Sequence, residues 1–383
     1  MKKRVLILGS TGSIGRNTLD VLGRLRDEWQ VVGLAAGSRA RELAVQAAEF
    51  RPHAVAIGDP SAASALGPAL PSGVQCFAGP DSMLELVNAV DCDCVVCAVV
   101  GGSGLRATLR AVELGRRIAL ANKEALVTAG SLITRLARHS GAKIIPVDSE
   151  HSAIFQVVNG RPREDVRRVY LTASGGPFRT LSSAEMEDVT VEAALRHPTW
   201  NMGPKITIDS ATMMNKALEI VEAHWLFGLA AEQIEVVIQP ESIIHSVVEF
   251  TDGSMIAQLG TPDMRTPIQY ALTYPDRRPC PSKRLDLAEV GRLHLHRPDQ
   301  ERFPALRLGY EAAGRGGTCG AVLNAGNEAA VAQFREGVIG FRDIARYTEQ
   351  ALKHHTFIAD PGLDELLAAD RWAREEVARC TPC

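Results

Sequence analysis

Short apolar runs alternate with amphipathic stretches through the first 150 residues of the chain. The runs are KRVLILG (3–9), WQVVGLAAG (29–37), HAVAIGD (53–59), VQCFAG (74–79), CDCVVCAVV (92–100), RIALA (117–121) and AKIIPV (142–147). Runs with so little polar alternation mark strands buried on both faces, as in a parallel sheet. Between them apolar residues recur at helical spacing, as in RNTLDVLGRL (16–25) and SLITRLARH (131–139). This alternation predicts an N-terminal α/β domain, doubly wound and Rossmann-like, over residues 1–148.

After residue 150 the rhythm changes. VRRVYLTAS (166–174), EVVIQP (235–240), HSVVEFTDG (245–253) and MIAQLG (255–260) predict a mixed or antiparallel sheet with helices on one side. That gives a central α+β domain over 149–275. Residues 276–303, rich in Pro and Arg (PDRRPCPSKR, HRPDQERFP), read as a linker. From 304 to 383 helical periodicity dominates, as in NEAAVAQFREG (327–337), and predicts a small C-terminal helical domain.

Composition narrows the classes of partner. The chain has 383 residues, 46% hydrophobic and 23% charged, ordinary for a globular protein with a sizeable core. Its 42 basic and 45 acidic residues leave a net charge of −3, which argues against nucleic acid or a membrane surface as partner. No run of about 18 apolar residues is long enough to span a bilayer. The start, MKKRVLILGSTGSIG, has the basic beginning of a signal peptide, but VLIL is too short for its apolar region and reads as a first strand. Eight cysteines are present; Cys92, Cys94 and Cys97 fall in a strand-like run as small hydrophobes, and the terminal pair Cys380 and Cys383 lacks partners at zinc spacing. A reducing, cytoplasmic location is expected.

Candidate chemistry begins where the first strand ends. VLIL runs into GSTGSIG, with glycines at 9, 12 and 15. At a strand-to-helix turn such glycines permit the tight turn, close approach of backbone N–H groups to a pyrophosphate, and close helix packing, with the helix N-terminus facing the anion. The second strand ends in Gly37, Ser38 and Arg39, without the acid that would bind a ribose 2′-hydroxyl. A hydroxyl and a guanidinium suit a 2′-phosphate, hence NADPH; the plain alternative is an exposed arginine in a loop. NKEA (122–125) ends the sixth run, where open α/β sheets place ligands, so Lys123 is a candidate substrate contact.

The seventh run is followed at once by PVDSEHSAIFQ (146–156), which sets Asp148 and Glu150 two positions apart. Either the two acids lie solvated at a strand end, or a cation neutralises them. On a helix through 210–226, Asn215 and Glu219 share a face, Lys216 lies within reach of the same ligand, and Met214, Leu218, Val221 and Trp225 form an apolar stripe elsewhere. Asp148, Glu150 and Glu219 would together make an all-oxygen site for a hard dication, Mg2+ or Mn2+. DxE pairs at strand ends are common without a metal, and spacing alone does not decide.

GSTGSIG, NKEAL, PVDSEHSAIFQ, SGGPF, HPTWNMG, DSATMMNKALE, PESIIHS, GTPDMRTPI and LNAGNEAAV follow one another over nearly the whole chain. Together they resemble the 1-deoxy-D-xylulose 5-phosphate reductoisomerase family. The resemblance implies an NADPH- and dication-dependent enzyme of non-mevalonate isoprenoid synthesis, with Mg2+, Mn2+ or Co2+ as metal and a homodimeric assembly. It rearranges and reduces 1-deoxy-D-xylulose 5-phosphate to 2-C-methyl-D-erythritol 4-phosphate. It places Thr11, Gly12, Ser13 and Ile14 along the cofactor pyrophosphate and Gly37, Ser38 and Arg39 near its 2′-phosphate. Asn122, Glu124 and Gly203 also line the cofactor. Asp148, Glu150 and Glu219 become metal ligands. Ser174, Ser210, Asn215 and Lys216 hold the substrate phosphate, while Lys123, Ser149 and His197 contact the sugar. Trp200 and Met202 belong to a covering flap. Glu150 is the candidate acid/base, with Lys123 stabilising oxyanion charge and His197 completing the catalytic set. Ser38-Arg39 stands where the family often has a pair such as Lys-Asn, and Pro204 where it often has a basic residue.

His151 reads as structural or as a support for the acids, and NAGNE (324–328) as a helix start capped by Asn. Two other functions share parts of this pattern. Another two-domain NADP-dependent dehydrogenase, of the homoserine or semialdehyde type, would keep the glycine turn without needing three acids. A non-catalytic NADPH sensor would bind cofactor without turnover.

Overall fold

A computed structural model describes residues 1–200 and 202–380. Contacts divide the chain into two compact units, one of residues 1–125, 133–152 and 263–283, the other of 126–132, 153–262 and 284–383.

The first unit is built on seven strands, β1 (Lys3–Leu8), β2 (Trp29–Ala36), β3 (Ala54–Ile57), β4 (Gln75–Ala78), β5 (Cys94–Cys97), β6 (Arg117–Leu120) and β7 (Ile144–Pro146). Each of the seven apolar runs supplies one. They form a single parallel sheet in the order β4-β3-β2-β1-β5-β6-β7, the doubly wound arrangement expected. Val5, Leu6, Ile7 and Leu8 of β1 are all fully buried, which is why the strand shows no polar alternation. Helices α1 (Ser13–Arg24), α2 (Ala40–Phe50), α3 (Pro60–Leu66), α4 (Ser82–Ala89), α5 (Leu105–Glu113), α6 (Lys123–Ser140) and α7 (Ser149–Val158) follow the strands. Cys92, Cys94 and Cys97 lie buried on or beside β5, and burial pushes the Cys94 and Cys97 thiols up to about 12, so they pack as apolar groups. Cys383 lies outside the described residues.

The second unit holds a mixed sheet of β8 (Val166–Ala173), β9 (Ile234–Ile238), β10 (Ile244–Phe250) and β11 (Met255–Leu259), in the order β11-β10-β8-β9. Only β8 and β9 run parallel. Between β8 and β9 come α8 (Val191–Ala194), α9 (Pro204–Ala211) and α10 (Met214–Phe227), and α10 packs on β8 and β9. The helix expected over 210–226 is thus two helices, broken at Met213, whose φ of +61° is left-handed. Ser210 lies in the last turn of one and Asn215 in the first turn of the other.

Three features depart from the sequence pattern. Helix α11 (Arg265–Thr273) packs on α1, β6 and β7 of the first unit, although it follows the second sheet in sequence. The Pro/Arg-rich stretch is divided too: residues up to 283 belong with the first unit, while His296 makes a backbone bridge to Ile238 of β9. Its arginines are occupied locally, Arg278 with Glu28 and neighbouring Arg265 with Asp20 and Asp263. After α12 (Leu287–Val290) come α13 (Ala305–Arg315), α14 (Cys319–Arg335), α15 (Asp343–His354) and α16 (Leu363–Arg379), a helical end as expected. NAGNE lies in the middle of α14, not at a helix start. No helix among the described residues is long and apolar enough to cross a membrane.

Candidate active site

In the first unit the candidate residues gather at the carboxyl ends of the parallel strands, where such sheets bind ligands. Gly9 follows β1 with φ +88°, and a Cβ there would stand 2.5 Å from the Ala98 carbonyl oxygen. A Cβ at Gly15 would lie 2.3 Å from the Gly9 oxygen, so the first turn of α1 presses on the glycine turn itself. Gly12 is the N-cap and offers no side-chain acceptor, leaving the first amides of α1, around Ser13 and Ile14, to an anion. The turn therefore fits a dinucleotide pyrophosphate. Gly37, Ser38 and Arg39 leave β2 exposed, and Arg39 Nη1 donates to the Thr11 carbonyl at 3.0 Å.

Asn122, after β6, is buried and caps α6 by accepting from the Ala125 amide. Its amide nitrogen donates to the carbonyls of Val99 and Gly101 and to Glu124 Oε2. That side chain is spent on bracing the β5 exit loop. Lys123, also buried, holds Asp148 Oδ2 at 2.6 Å. The Asp148 carbonyl opens α7 by accepting from the Ser152 amide, and Ser149 Oγ donates to Glu150 Oε2 at 2.5 Å. The two acids at the strand end are therefore half-buried and partnered, not solvated.

In the second unit, Ser174 follows β8 and precedes Gly175 and Gly176, whose φ values are +81° and +68°. A Cβ at Gly176 would stand 2.6 Å from the Ser210 carbonyl oxygen, so the glycines let this loop lie against the end of α9. Ser174 Oγ stands 3.1 Å from His197 Nε2 and accepts from the Gly176 amide at 3.2 Å. His197 Nδ1 accepts from the amides of Thr199 and Trp200 at 3.1 and 2.9 Å. An Nδ1 that accepts twice carries no proton, so the neutral ring bears its proton on Nε2 and donates to Ser174. With both of those groups donating to it, Ser174 Oγ keeps its own hydrogen for a further acceptor. Burial, and then the Arg179 guanidinium, lower the His197 pKa from its ordinary 6.5.

The break at Met213 leaves Ser210 a few residues from the first turn of α10, where Met213 offers no side-chain cap and the Met214 amide donates to Thr212 Oγ1 at 3.3 Å. Asn215 Nδ2 donates to Glu219 Oε1 at 2.6 Å, and Lys216 Nζ to Glu219 Oε2 at 2.5 Å. Glu219 is fully buried, and a buried carboxylate requires such partners. Trp200 and Met202 are half-buried, Gly203 is exposed, and Pro204 occupies the first position of α9, where its ring suits a helix start.

One carboxylate oxygen from each of Asp148, Glu150 and Glu219 lies within 4.8 Å of the others, a donor set of the kind a hard dication takes. Asp148, His151 and Glu222 meet the same distance limit. Glu222 escaped the sequence reading; its one signal is its place three residues beyond Glu219, on a neighbouring helical position.

Comparison with known proteins bears on the whole chain. Models of the 1-deoxy-D-xylulose 5-phosphate reductoisomerase family match residues 5–130, its C-terminal domain model 144–227, and the DXP reductoisomerase C-terminal domain 259–376. The reductoisomerase of Chlorobium chlorochromatii is 52% identical over 98% of this chain and 99% of its own length, and that of Exiguobacterium sibiricum 50% over 98% of each. The solved structure of the Zymomonas mobilis enzyme in complex with NADPH superposes with a TM-score of 0.93 at 46% identity, covering 99% of both chains. A DOX-P reductoisomerase in complex with NADPH, fosmidomycin and magnesium gives 0.91 at 38% identity over 98% of both. With sequence likeness and fold agreeing from end to end, the chain belongs to the 1-deoxy-D-xylulose 5-phosphate reductoisomerase family.

Proposed function

We propose that this protein rearranges 1-deoxy-D-xylulose 5-phosphate and reduces it to 2-C-methyl-D-erythritol 4-phosphate, using NADPH and a divalent cation, in isoprenoid precursor synthesis. The observation that carries the reading is the gathering of Asp148, Glu150 and Glu219 oxygens in a chain that also has the uncapped glycine turn. A homoserine-type dehydrogenase would not require that acid set, and full-length membership of the reductoisomerase family displaces it.

Asp148, Glu150 and Glu219 would hold the cation. When bound, the cation supplies Lewis acidity toward a carbonyl and its neighbouring hydroxyl, and NADPH supplies the hydride. Lys123 lends positive charge beside Asp148, where it can offset oxyanion charge on the substrate. Glu150, fixed by the Ser149 hydroxyl, is the candidate proton acceptor for the substrate hydroxyl. The Ser174 hydroxyl, aimed by His197 and the Gly176 amide, donates to the substrate phosphate together with Ser210 and the first turn of α10. Asn215 and Lys216 serve this site while holding Glu219. Trp200 and Met202, next to His197, would cover the substrate and exclude water. Asn122 supports the cofactor by bracing residues 99–101, and Glu124 and Gly203 line it. The protein works as a cytosolic homodimer that pairs through the exposed edge of its second sheet.

The test is NADPH oxidation with deoxyxylulose phosphate before and after chelation. Turnover should be lost in EDTA and return with Mg2+ or Mn2+. Undiminished turnover after exhaustive chelation would refute the metal-dependent reading.

A further inference from the structure

Arg16 sits in the first turn of α1, where the helix's partial positive charge disfavours a cation and no acid shares the turn. Its Nη1 donates to the Thr11 carbonyl at 2.7 Å, the same oxygen that accepts from Arg39 Nη1 at 3.0 Å. Both Nη1 atoms also stand 3.6 Å from Oε2 of Glu42. Two guanidinium groups from different elements thus meet on one carbonyl and share one carboxylate, leaving one positive charge over. All three side chains are about half exposed (54%, 55% and 48%), so these ion pairs contribute little to stability. A local rule is broken with no gain to the fold, which is how ligand sites are often marked. The pair lies beside Ser38, between the glycine turn and the end of β2, where a dinucleotide places its adenosine ribose.

We propose that Arg16 is a second guanidinium of the 2′-phosphate site. It clamps the phosphate opposite Arg39, and Glu42 keeps the like-charged pair aligned. Each guanidinium carries five N–H donors and spends Nη1 on Thr11 and Glu42, so donors remain for a phosphate dianion. The inference rests on NADPH being the cofactor and adds a residue that sets its selectivity.

The measurement is direct binding, by titrating NADPH and NADH separately into the wild type and into Arg16→Gln, Arg39→Gln and the double variant, followed by nicotinamide fluorescence. Each single change should weaken NADPH by about tenfold, as expected for one charge-assisted contact, and leave NADH within about twofold. The double variant should lose less than the product of the single losses, because both groups hold one phosphate. Arg16→Lys should recover part of the affinity. NADH binding serves as the control for folding. A wild type that prefers NADPH, with the same preference in Arg16→Gln, would overturn this inference alone. A wild type that binds both nucleotides equally would overturn it together with the NADPH reading.

Discussion

His197 shows how one side chain's protonation is fixed by its neighbours. Two backbone amides donate to Nδ1, and protonation there would break both bonds. Burial and Arg179 act in the same direction, holding the pKa below 6.5. Above pH 6.5 the ring is neutral in both folded and unfolded chains, and the shift contributes nothing to stability. As pH falls through 6.5 the unfolded chain takes up the proton first, so folded stability declines until the lower folded pKa is passed. The NMR titration midpoint of His197, assigned by its absence in His197→Gln, should therefore lie below 6.5. A midpoint at or above 6.5 would remove the tautomer assignment and with it the aimed Ser174 hydroxyl. The same variant should raise KM for the phosphosugar by roughly tenfold, the cost of one lost hydrogen bond to a charged ligand, with little change in folding.

At the scale of elements, α9 and α14 are joined by a buried contact. Asp209, 1% exposed, is paired with Lys205 at 2.8 Å and accepts from Asn327 Nδ2 at 2.9 Å. Asn327→Leu keeps the volume and removes the donor, which should cost about 2–3 kcal/mol, read as a lower denaturant midpoint at unchanged slope. Asn327→Asp should cost more at pH 8 than at pH 5, because two carboxylates would face each other. If Asn327→Leu leaves the midpoint unchanged, the contact holds nothing. This pair also explains why NAGNE misled. Asn favours caps in an isolated helix, but Asn327 is kept mid-helix by an acid 118 positions earlier in the chain. The break at Met213 was equally hidden, since a left-handed φ is ordinarily announced by glycine or asparagine. The seven parallel strands were legible because burial on both faces leaves its mark in each residue of a strand such as β1. The partnering of α11 with α1 left none, being a choice among surfaces far apart in sequence. The acids themselves could be read from DSE and NKALE, but the Lys123–Asp148 pair required coordinates.

For the whole molecule, the second sheet ends on β11, beside whose outer edge no other strand lies among the described residues. Met255 and Ile256 on that edge are 55% and 40% exposed. An edge that offers both apolar side chains and open backbone groups invites another strand, and a two-fold axis lets a second copy supply it with the same surface. Met255→Glu combined with Ile256→Glu would set like charges against each other across such an axis. Light scattering should then report a monomer for the double variant and a dimer for the wild type. A double variant that remains dimeric would move the interface elsewhere. The glycine turn, Arg16 and Arg39 all belong to the first unit and β11 to the second, so NADPH affinity should stay within about twofold in the monomer. A loss of turnover with cofactor binding intact would then place the need for the partner at the substrate side of the reaction, in the unit that carries β11, Ser174 and α10.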